Sequence, residues 1–255
     1  MSATRLRTGV LLIGLVALGL TLGWSLLNLH EYGDIRGSYE TQIEAAALRE
    51  RRVANLDAFV NFDYRALDTL GEEFIFLTAI VGLSLVLRRL PGEVEEGQPL
   101  PMIPGRSAPA PDELTQWITP AFVPALVVLG VYVLIHGHLT PGGGFQAGAI
   151  IGSALAMIYV AFGYSAFRHT INQEKTEAVE AVAAAGYIAM GLVALASGAA
   201  FLANILPLGK TGELYSAGTI WLLNDLTGAE VSFGFLTMLA EFLRETQDRG
   251  RGDDG

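Results

Sequence analysis

The sequence predicts an all-α integral membrane protein with about six transmembrane helices, two in an N-terminal module and four in a C-terminal module. Hydrophobic residues make up 51% of the chain and charged residues only 16%. The apolar residues fall in blocks nearly free of charge, and several blocks approach the roughly 20 residues that a helix needs to cross the hydrocarbon core. The charged residues lie between these blocks, as in the loops of membrane proteins.

The N-terminal module, residues 1–90, contains two of these blocks. The first, residues 9–27, follows two arginines as a secretory signal would, but no small-residue cleavage site follows it. We therefore interpret it as a retained membrane anchor. The second block is residues 69–87, and the polar segment between the two contains a predicted surface helix at residues 40–52.

A linker rich in proline and glycine, residues 91–116, separates the two modules and lacks apolar periodicity. The C-terminal module, residues 117–245, is followed by a polar tail, residues 246–255. Its predicted spans are residues 118–135, 147–167, 181–206 and 231–243, and residues 172–180 are interpreted as a polar helix start that leads into the third of these. The last block is short for a full crossing, so its helix is expected to start inside the preceding polar loop.

Composition excludes several classes of function. The chain has no cysteine, which excludes disulfides, thiolate metal sites and cysteine nucleophiles. Its net charge of −10 argues against a nucleic-acid partner, which requires a basic patch. With six spans both termini lie on one side, where the loops hold ten Arg and Lys residues against six opposite. This asymmetry predicts that both termini are cytoplasmic.

Titrating residues are scarce inside the predicted spans. The acidic residues near hydrocarbon are Glu72 and Glu73 at the second block and Asp225, Glu230 and Glu241 around the last one. A chain that moves protons or cations alone needs ionisable groups at membrane depth. We therefore predict that this chain contributes to an ion path but does not supply one alone, which indicates a subunit of a larger assembly.

Small residues recur along two of the predicted spans. They are Gly144, Gly148, Gly152 and Ala156 in the fourth span and Gly186, Gly191, Ala194 and Gly198 in the fifth. Stripes of this kind allow helices to approach closely. The pattern leaves open whether these stripes pack within the chain or against a partner.

Asp68 and Glu72 lie four residues apart before the second span, so a helix places them on one face. Two carboxylates at the entrance of a membrane segment are able to bind Na⁺ or exchange a proton. Two alternatives remain: Thr69 and Glu72 fit a capping box, and Arg65 is positioned to pair with one of the acids. Glu230, before the last block, has the same two interpretations, an ion-path residue or a helix cap.

Residues 136–146, HGHLTPGGGFQ, predict a structured turn between two spans. Its distinctive residues are His136, His138, Pro141, Gly142, Gly143 and Gly144. The histidines could relay protons or ligate a metal, but with no third ligand nearby we predict no metal site. The glycines do not match a phosphate loop, because no Gly-Lys-Ser/Thr follows. We assign the turn a structural role or a contact with a neighbouring subunit.

The motif HGHLTPGGGFQAGAI, with YSAGTIWLLN and GAEV downstream, resembles the MnhB/MrpB family over about residues 117–243. FDYRALDTLGE and the span after it resemble the MbhE-like module, so the chain resembles a fusion of the two. The resemblance implies an accessory, non-enzymatic subunit of a multi-subunit Mrp-type Na⁺/H⁺ antiporter in a prokaryotic cell membrane. It implies other antiporter subunits as partners, Na⁺ and H⁺ as transported ions, and no cofactor.

The resemblance also implies that Asp68 and Glu72, which match the acids of the family's DTLGE-type motif, belong to the ion pathway. One alternative places the same module in an ion-pumping membrane-bound hydrogenase or another complex I-related oxidoreductase. A different class, a free-standing membrane enzyme or nucleotide-binding protein using the histidines and glycines, would bind its metal or nucleotide without partners.

Overall fold

The structure is a computed structural model that describes residues 3–28, 39–87 and 112–250. Within these ranges the chain is helical and has no β-strand. The helices are α1 (Ala3–Leu27), α2 (Tyr39–Glu50), α3 (Leu56–Phe59), α4 (Ala66–Leu87), α5 (Glu113–Ile135), α6 (Gly144–Thr170), α7 (Gln173–Ala196) and α8 (Thr219–Gly250), with a π-helical turn, Val60–Tyr64, between α3 and α4.

The predicted all-α membrane class is confirmed. Helices α4, α5, α6 and α7 and the Thr219–Leu243 part of α8 are each long and apolar enough to cross a membrane. The described apolar part of α1 is shorter, Leu12–Trp24. Most of the predicted linker lies outside the described residues, and α5 begins within its last part.

The chain forms two compact units, Met1–Glu40 and Thr41–Gly255. Helix α1 belongs to the first unit, and α3 to α8 belong to the second. Within the second unit α8 packs against α4, α5, α6 and α7. The spanning part of α8 is 56% buried, against 11% to 33% for the four other spans. Helix α8 is therefore the centre around which the other spans are arranged.

The start of the last helix agrees with its prediction, while the helix-cap interpretation of Glu230 and the end of α7 are corrected. Helix α8 begins at Thr219, inside the preceding loop, so Glu230 lies about three turns within the helix and does not cap it. Helix α7 is Gln173–Ala196, so it includes the predicted polar helix start, and the span predicted to reach residue 206 ends ten residues earlier. The Asn172 side chain caps its start by accepting from the Lys175 amide. The helix ends at Ala196, and Gly198, two residues later, has a φ of 83°, which an α-helix does not contain.

The glycine stripe of α6 packs within the chain, which settles an open alternative. A Cβ added to Gly144 would lie 2.5 Å from the Asn224 carbonyl oxygen on α8. One added to Gly148 would lie 2.6 Å from the Cβ of Val231, and Gly152 similarly meets Phe235. The absence of side chains lets the two backbones approach closely. Gly186 of α7 likewise faces Leu226 of α8.

Candidate ion-path site

Three glutamates are buried where α4, α7 and α8 meet. Glu73 on α4 and Glu180 on α7 are each 4% exposed, and Glu230 on α8 is fully buried. In a membrane protein an ionisable side chain inside the helix bundle is rare and marks a candidate functional site. We call these three residues the glutamate triad.

Helical spacing explains how each helix turns its glutamate inward. On α4, Glu73 shares a face with the buried Thr69 and Ile80. On α7, Glu180 shares a face with Thr176 and Tyr187, which are also buried. Helix α8 is buried on most of its circumference, so Glu230 is enclosed from several sides.

The triad brings acidic side chains close to one another. The carboxyl group of Glu230 lies next to that of Glu73, and Glu180 lies within electrostatic range of Glu230. Apart from each other, the oxygens of Glu73 and Glu230 have no hydrogen-bond partner among the residues that the structure describes. Among the described residues, Arg51 forms an ion pair with Asp63 and Arg65 forms one with Asp68, so neither pair involves the triad. Two adjacent buried carboxylates cannot both stay ionised cheaply, so such a pair favours uptake of a proton or a cation.

One member of the triad, Glu180, lines a groove at one end of the bundle. A groove of ≈ 470 Å³, which we call the α4–α7–α8 groove, is lined by Leu77, Ile80, Val81, Ser84, Leu85, Gln173, Glu177, Glu180, Ala181, Thr237 and Glu241. The Gln173 side chain donates hydrogen bonds to Glu241 at 2.7 Å and to Glu177 at 2.9 Å. Further inside, Glu180 lies beside the hydroxyl of Thr237. An acidic path therefore runs from the groove to the triad.

The predicted pair Asp68 and Glu72 lies on another face of α4. Both residues are exposed in the chain as described. Asp68 forms an ion pair with Arg65, as one of the alternatives proposed. The capping-box alternative is wrong, because α4 begins at Ala66 and the Thr69 hydroxyl donates to the Asn61 carbonyl at 2.7 Å. A role of Asp68 and Glu72 in ion movement stays a prediction.

The glycine-rich turn joins α5 to α6 and is held from two sides. The Asn55 side-chain nitrogen donates to the carbonyls of Gly137 at 2.7 Å and Thr140 at 3.1 Å. On the other side, the Asn224 side chain of α8 donates to the Leu134 carbonyl at 2.7 Å. The turn exposes Pro141 and uses φ angles of 148° and 152° at Gly142 and Gly143, which side chains disfavour.

The two histidines of the turn have different surroundings. His136 is partly exposed, and its ring stacks on Tyr132 with the centroids 4.2 Å apart. The His138 ring is buried beside the backbone of Glu213 and Leu214. Burial lowers the pKa of His138 from its usual 6.5, and those backbone groups oppose the shift. Among the described residues no cluster of three His, Cys, Asp or Glu side chains could hold a metal ion.

The segment before α4 is also tied to the rest of its unit by charge. The Arg51 guanidinium donates to a carboxylate oxygen of Asp63 in the π-helical turn. Burial raises the pKa of Asp63 from 3.8, while the hydrogen bond and charge of Arg51 lower it. The neighbouring Arg52 donates to the Gly209 carbonyl in the loop before α8. These contacts fix the approach to α4 and thereby the position of Glu73.

Sequence reasoning did not select Glu73 or Glu180. Glu73 was noted near hydrocarbon, but its neighbour Glu72 belongs to the recognisable motif and was preferred. Glu180 was placed outside the span because residues 172–180 were interpreted as a polar helix start and the apolar span was predicted to begin at residue 181. Asn172 caps α7, so the helix begins at Gln173 and Glu180 lies two turns inside it.

The fold and the triad together define a multi-pass α-helical membrane protein with carboxylates buried among its spans. Residues 114–237 match the family described as a domain related to the MnhB subunit of Na⁺/H⁺ antiporter, and the chain belongs to this family. An uncharacterized protein of Methanocaldococcus jannaschii is 31% identical over 205 residues, which are 72% of this chain and 75% of that protein. The family match does not reach the N-terminal module, so its MbhE-like identity stays a prediction.

Two solved structures share the fold. A chain of the membrane-bound sulfane sulfur reductase, an archaeal respiratory membrane complex, matches with a TM-score of 0.67 and 25% identity, covering 93% of this chain and 98% of that one. A chain of the Mrp complex from Dietzia sp. DQ12-45-1b matches with a TM-score of 0.64 and 23% identity, covering 95% of this chain and 26% of that one. The second likeness is evidence for the fold alone.

Proposed function

We propose that this chain is an accessory membrane subunit of a multi-subunit Mrp-type Na⁺/H⁺ antiporter and that the glutamate triad forms part of its ion path. The observation that carries the proposal is the burial of Glu73, Glu180 and Glu230 against one another. Withdrawing a charge from water costs several kcal/mol. Such a cost is tolerated where function requires a group that takes up and releases an ion. Membership of the MnhB-related family supports the antiporter as the setting.

Partner subunits complete the path. Asp68 and Glu72 lie on an exposed face of α4, where a neighbouring membrane subunit would cover them and receive or deliver the ion. The chain itself does no covalent chemistry, and it contributes no cofactor. It lies in a prokaryotic cell membrane with both termini in the cytoplasm, so the α4–α7–α8 groove opens on the cytoplasmic side.

Reconstitution of the intact complex in vesicles tests this function. Na⁺-dependent proton exchange is expected to be lost in Glu230→Gln and Glu180→Gln, because an amide neither binds a proton reversibly nor attracts a cation. Glu174→Gln is the matched control, since Glu174 lies exposed in the first turn of α7. Native gels should show normal assembly for all three variants. Full exchange in both triad variants would remove the triad from the ion path.

The second candidate is the same role within a redox-driven membrane complex. It is favoured by the match to 98% of a chain of the sulfane sulfur reductase complex. Redox centres would then lie in partners, because this chain has no cysteine to bind iron–sulfur clusters. Mass spectrometry of the purified assembly separates the two candidates by the presence or absence of cluster-binding subunits.

A further inference from the structure

Buried polar atoms without a hydrogen-bond partner in the described chain are concentrated around one helix. Besides Glu73, the residues concerned are His138, Ser216, Asn224, Thr227 and Glu230. Three of them lie on α8 at intervals of three residues, and Ser216 precedes its start. All of these side chains are at least nine-tenths buried. We call the row formed by His138, Ser216, Asn224, Thr227 and Glu230 the polar file. Polar groups buried without any partner are rare in native proteins, so this row requires an explanation.

Two members of the polar file, His138 and Asn224, lie at the glycine-rich turn. The side-chain nitrogen of Asn224 donates a hydrogen bond to the Leu134 carbonyl. The side-chain oxygen of Asn224 therefore faces Gly137. A Cβ at Gly137 would lie 2.6 Å from that oxygen, so the amide lies against the residue before His138. His138 in turn lies beside the backbone of Glu213 and Leu214, just before Ser216.

The file continues along α8 to the triad. Thr227 lies between Asn224 and Glu230, one turn from each, and a Cβ at Gly144 would lie 2.8 Å from its Cβ. Side chains three residues apart on a helix are separated by about 5–6 Å. One water joined by two hydrogen bonds of about 2.8 Å spans that interval. The spacing along α8 therefore matches single waters bridging Asn224, Thr227 and Glu230, with the unpartnered side-chain atoms of these residues as their hydrogen-bond partners.

We propose that His138, Ser216, Asn224 and Thr227 line a water-filled proton route from the glycine-rich turn to Glu230 and Glu73. The proposal rests on the triad's role in the ion path and adds its second opening, opposite the α4–α7–α8 groove. His138 accepts a proton on one ring nitrogen and releases one from the other to the water file. At each step one O–H or N–H bond breaks and another forms, and the proton arrives on a carboxylate oxygen of Glu230. Nothing is oxidised or reduced.

The dimensions agree with a path across the membrane. From Asn224 to Glu241, α8 advances about 25 Å. The hydrocarbon core is about 30 Å thick. The polar side of α8, from Asn224 through Thr227, Glu230 and Thr237 to Glu241, thus extends over most of that thickness.

Water access is tested by thiol labelling of the intact complex in vesicles. The chain has no native cysteine, so an introduced one is unique within it. Thr227→Cys is expected to react many-fold faster with a small water-soluble methanethiosulfonate than Leu236→Cys. Leu236 is the matched control because it is also fully buried on α8 but lies in an apolar cluster with Phe167 and Leu243. Equal, slow labelling of the two variants would overturn the route.

Transport of Thr227→Val tests the function of the route. Valine keeps the volume but removes the hydroxyl, so Na⁺-dependent proton exchange should fall by about tenfold or more. Thr227→Ser, which keeps the hydroxyl, should retain exchange. Thr119→Val is the control, since Thr119 is buried on α5 and its hydroxyl donates to the Thr115 carbonyl. Normal exchange in an assembled Thr227→Val complex would overturn the route. If exchange were then lost only in Glu230→Gln, the triad would still belong to the ion path although the route did not.

Discussion

The side-chain nitrogen of Asn55 lies 2.7 Å from the carbonyl oxygen of Gly137 and donates a hydrogen bond to it across 82 positions of sequence. The same side chain caps α3, because its oxygen accepts from the Asp57 amide at 3.1 Å. One residue thus joins the segment that leads into α4 to the turn between α5 and α6. The same turn region is held by Asn224 of α8, so the approach to α4 and helix α8 are both attached to it.

Asn55→Ala is expected to destabilise the complex by about 1–3 kcal/mol, because it removes a helix cap and leaves turn carbonyls without their donor. Thermal denaturation of the purified complex in detergent measures the change. Asn61→Ala is the control, since its side chain makes only a long, exposed bond of 3.4 Å to Asp57. If both variants melted together with the wild type, the turn would not depend on Asn55.

Gly144→Ala should separate α6 from α8. The added methyl carbon would lie 2.5 Å from a backbone oxygen of Asn224 and 2.8 Å from the Gly228 nitrogen, and neither atom can rotate away. Overpacking of this kind costs about 1–3 kcal/mol. Gly82→Ala is the matched control, because a Cβ there meets nothing within 4 Å. Native gels should show reduced assembly for the first variant only, and equal assembly of both would contradict the close packing.

Asp68→Ala and Glu72→Ala are expected to abolish Na⁺-dependent proton exchange in vesicles while the complex still assembles. Both acids are exposed on the single chain, so neither supports its internal packing. Removing them should affect the transfer of the ion between subunits and leave the fold intact. Glu44→Ala, at an exposed position of α2, provides the comparison. Unchanged exchange in both variants would exclude the two acids from the ion path, and the ion pair with Arg65 would then be the one role of Asp68 that the structure supports.

Stability should fall on acidification because of His138. Burial lowers the pKa of His138 below 6.5, so the unfolded chain takes up a proton at a higher pH than the folded chain does. The stabilisation is therefore complete above about pH 6.5 and is lost as pH falls through the folded pKa. His138→Asn should flatten the dependence of the melting temperature on pH between about 7 and 5. His169→Asn, at the exposed end of α6, should leave it unchanged. Identical profiles for the wild type and His138→Asn would assign the acid sensitivity to other groups.

Much of the architecture could be predicted from residue patterns. Apolar blocks of membrane length predicted the spans now seen in α4 to α7, and the shortness of the last block predicted that its helix starts in the loop. The turn at residues 136–146 was predicted because helices do not accommodate its proline and three glycines. The end of α7 was not predicted, because the apolar residues after Ala196 continue the block while the backbone leaves the helix.

The candidate site was predicted only in part. Glu230 was selected, but as a residue at a helix start, and Asp68 and Glu72 were selected for sharing a face. Periodicity shows which residues share a face of α4, yet it does not show which face turns inward. In a membrane both lipid-facing and protein-facing positions are apolar, so the pattern of hydrophobicity does not distinguish them.

The sequence by itself determined the class of protein, the approximate spans, the glycine-rich turn and the absence of thiol chemistry. Only the tertiary structure decided that Glu73 and Glu180 join Glu230 inside the bundle and that the glycines of α6 pack on α8. The physical reason is that a carboxylate's burial depends on neighbouring helices. Those neighbours are brought together by contacts far apart in sequence, such as that between Asn55 and Gly137.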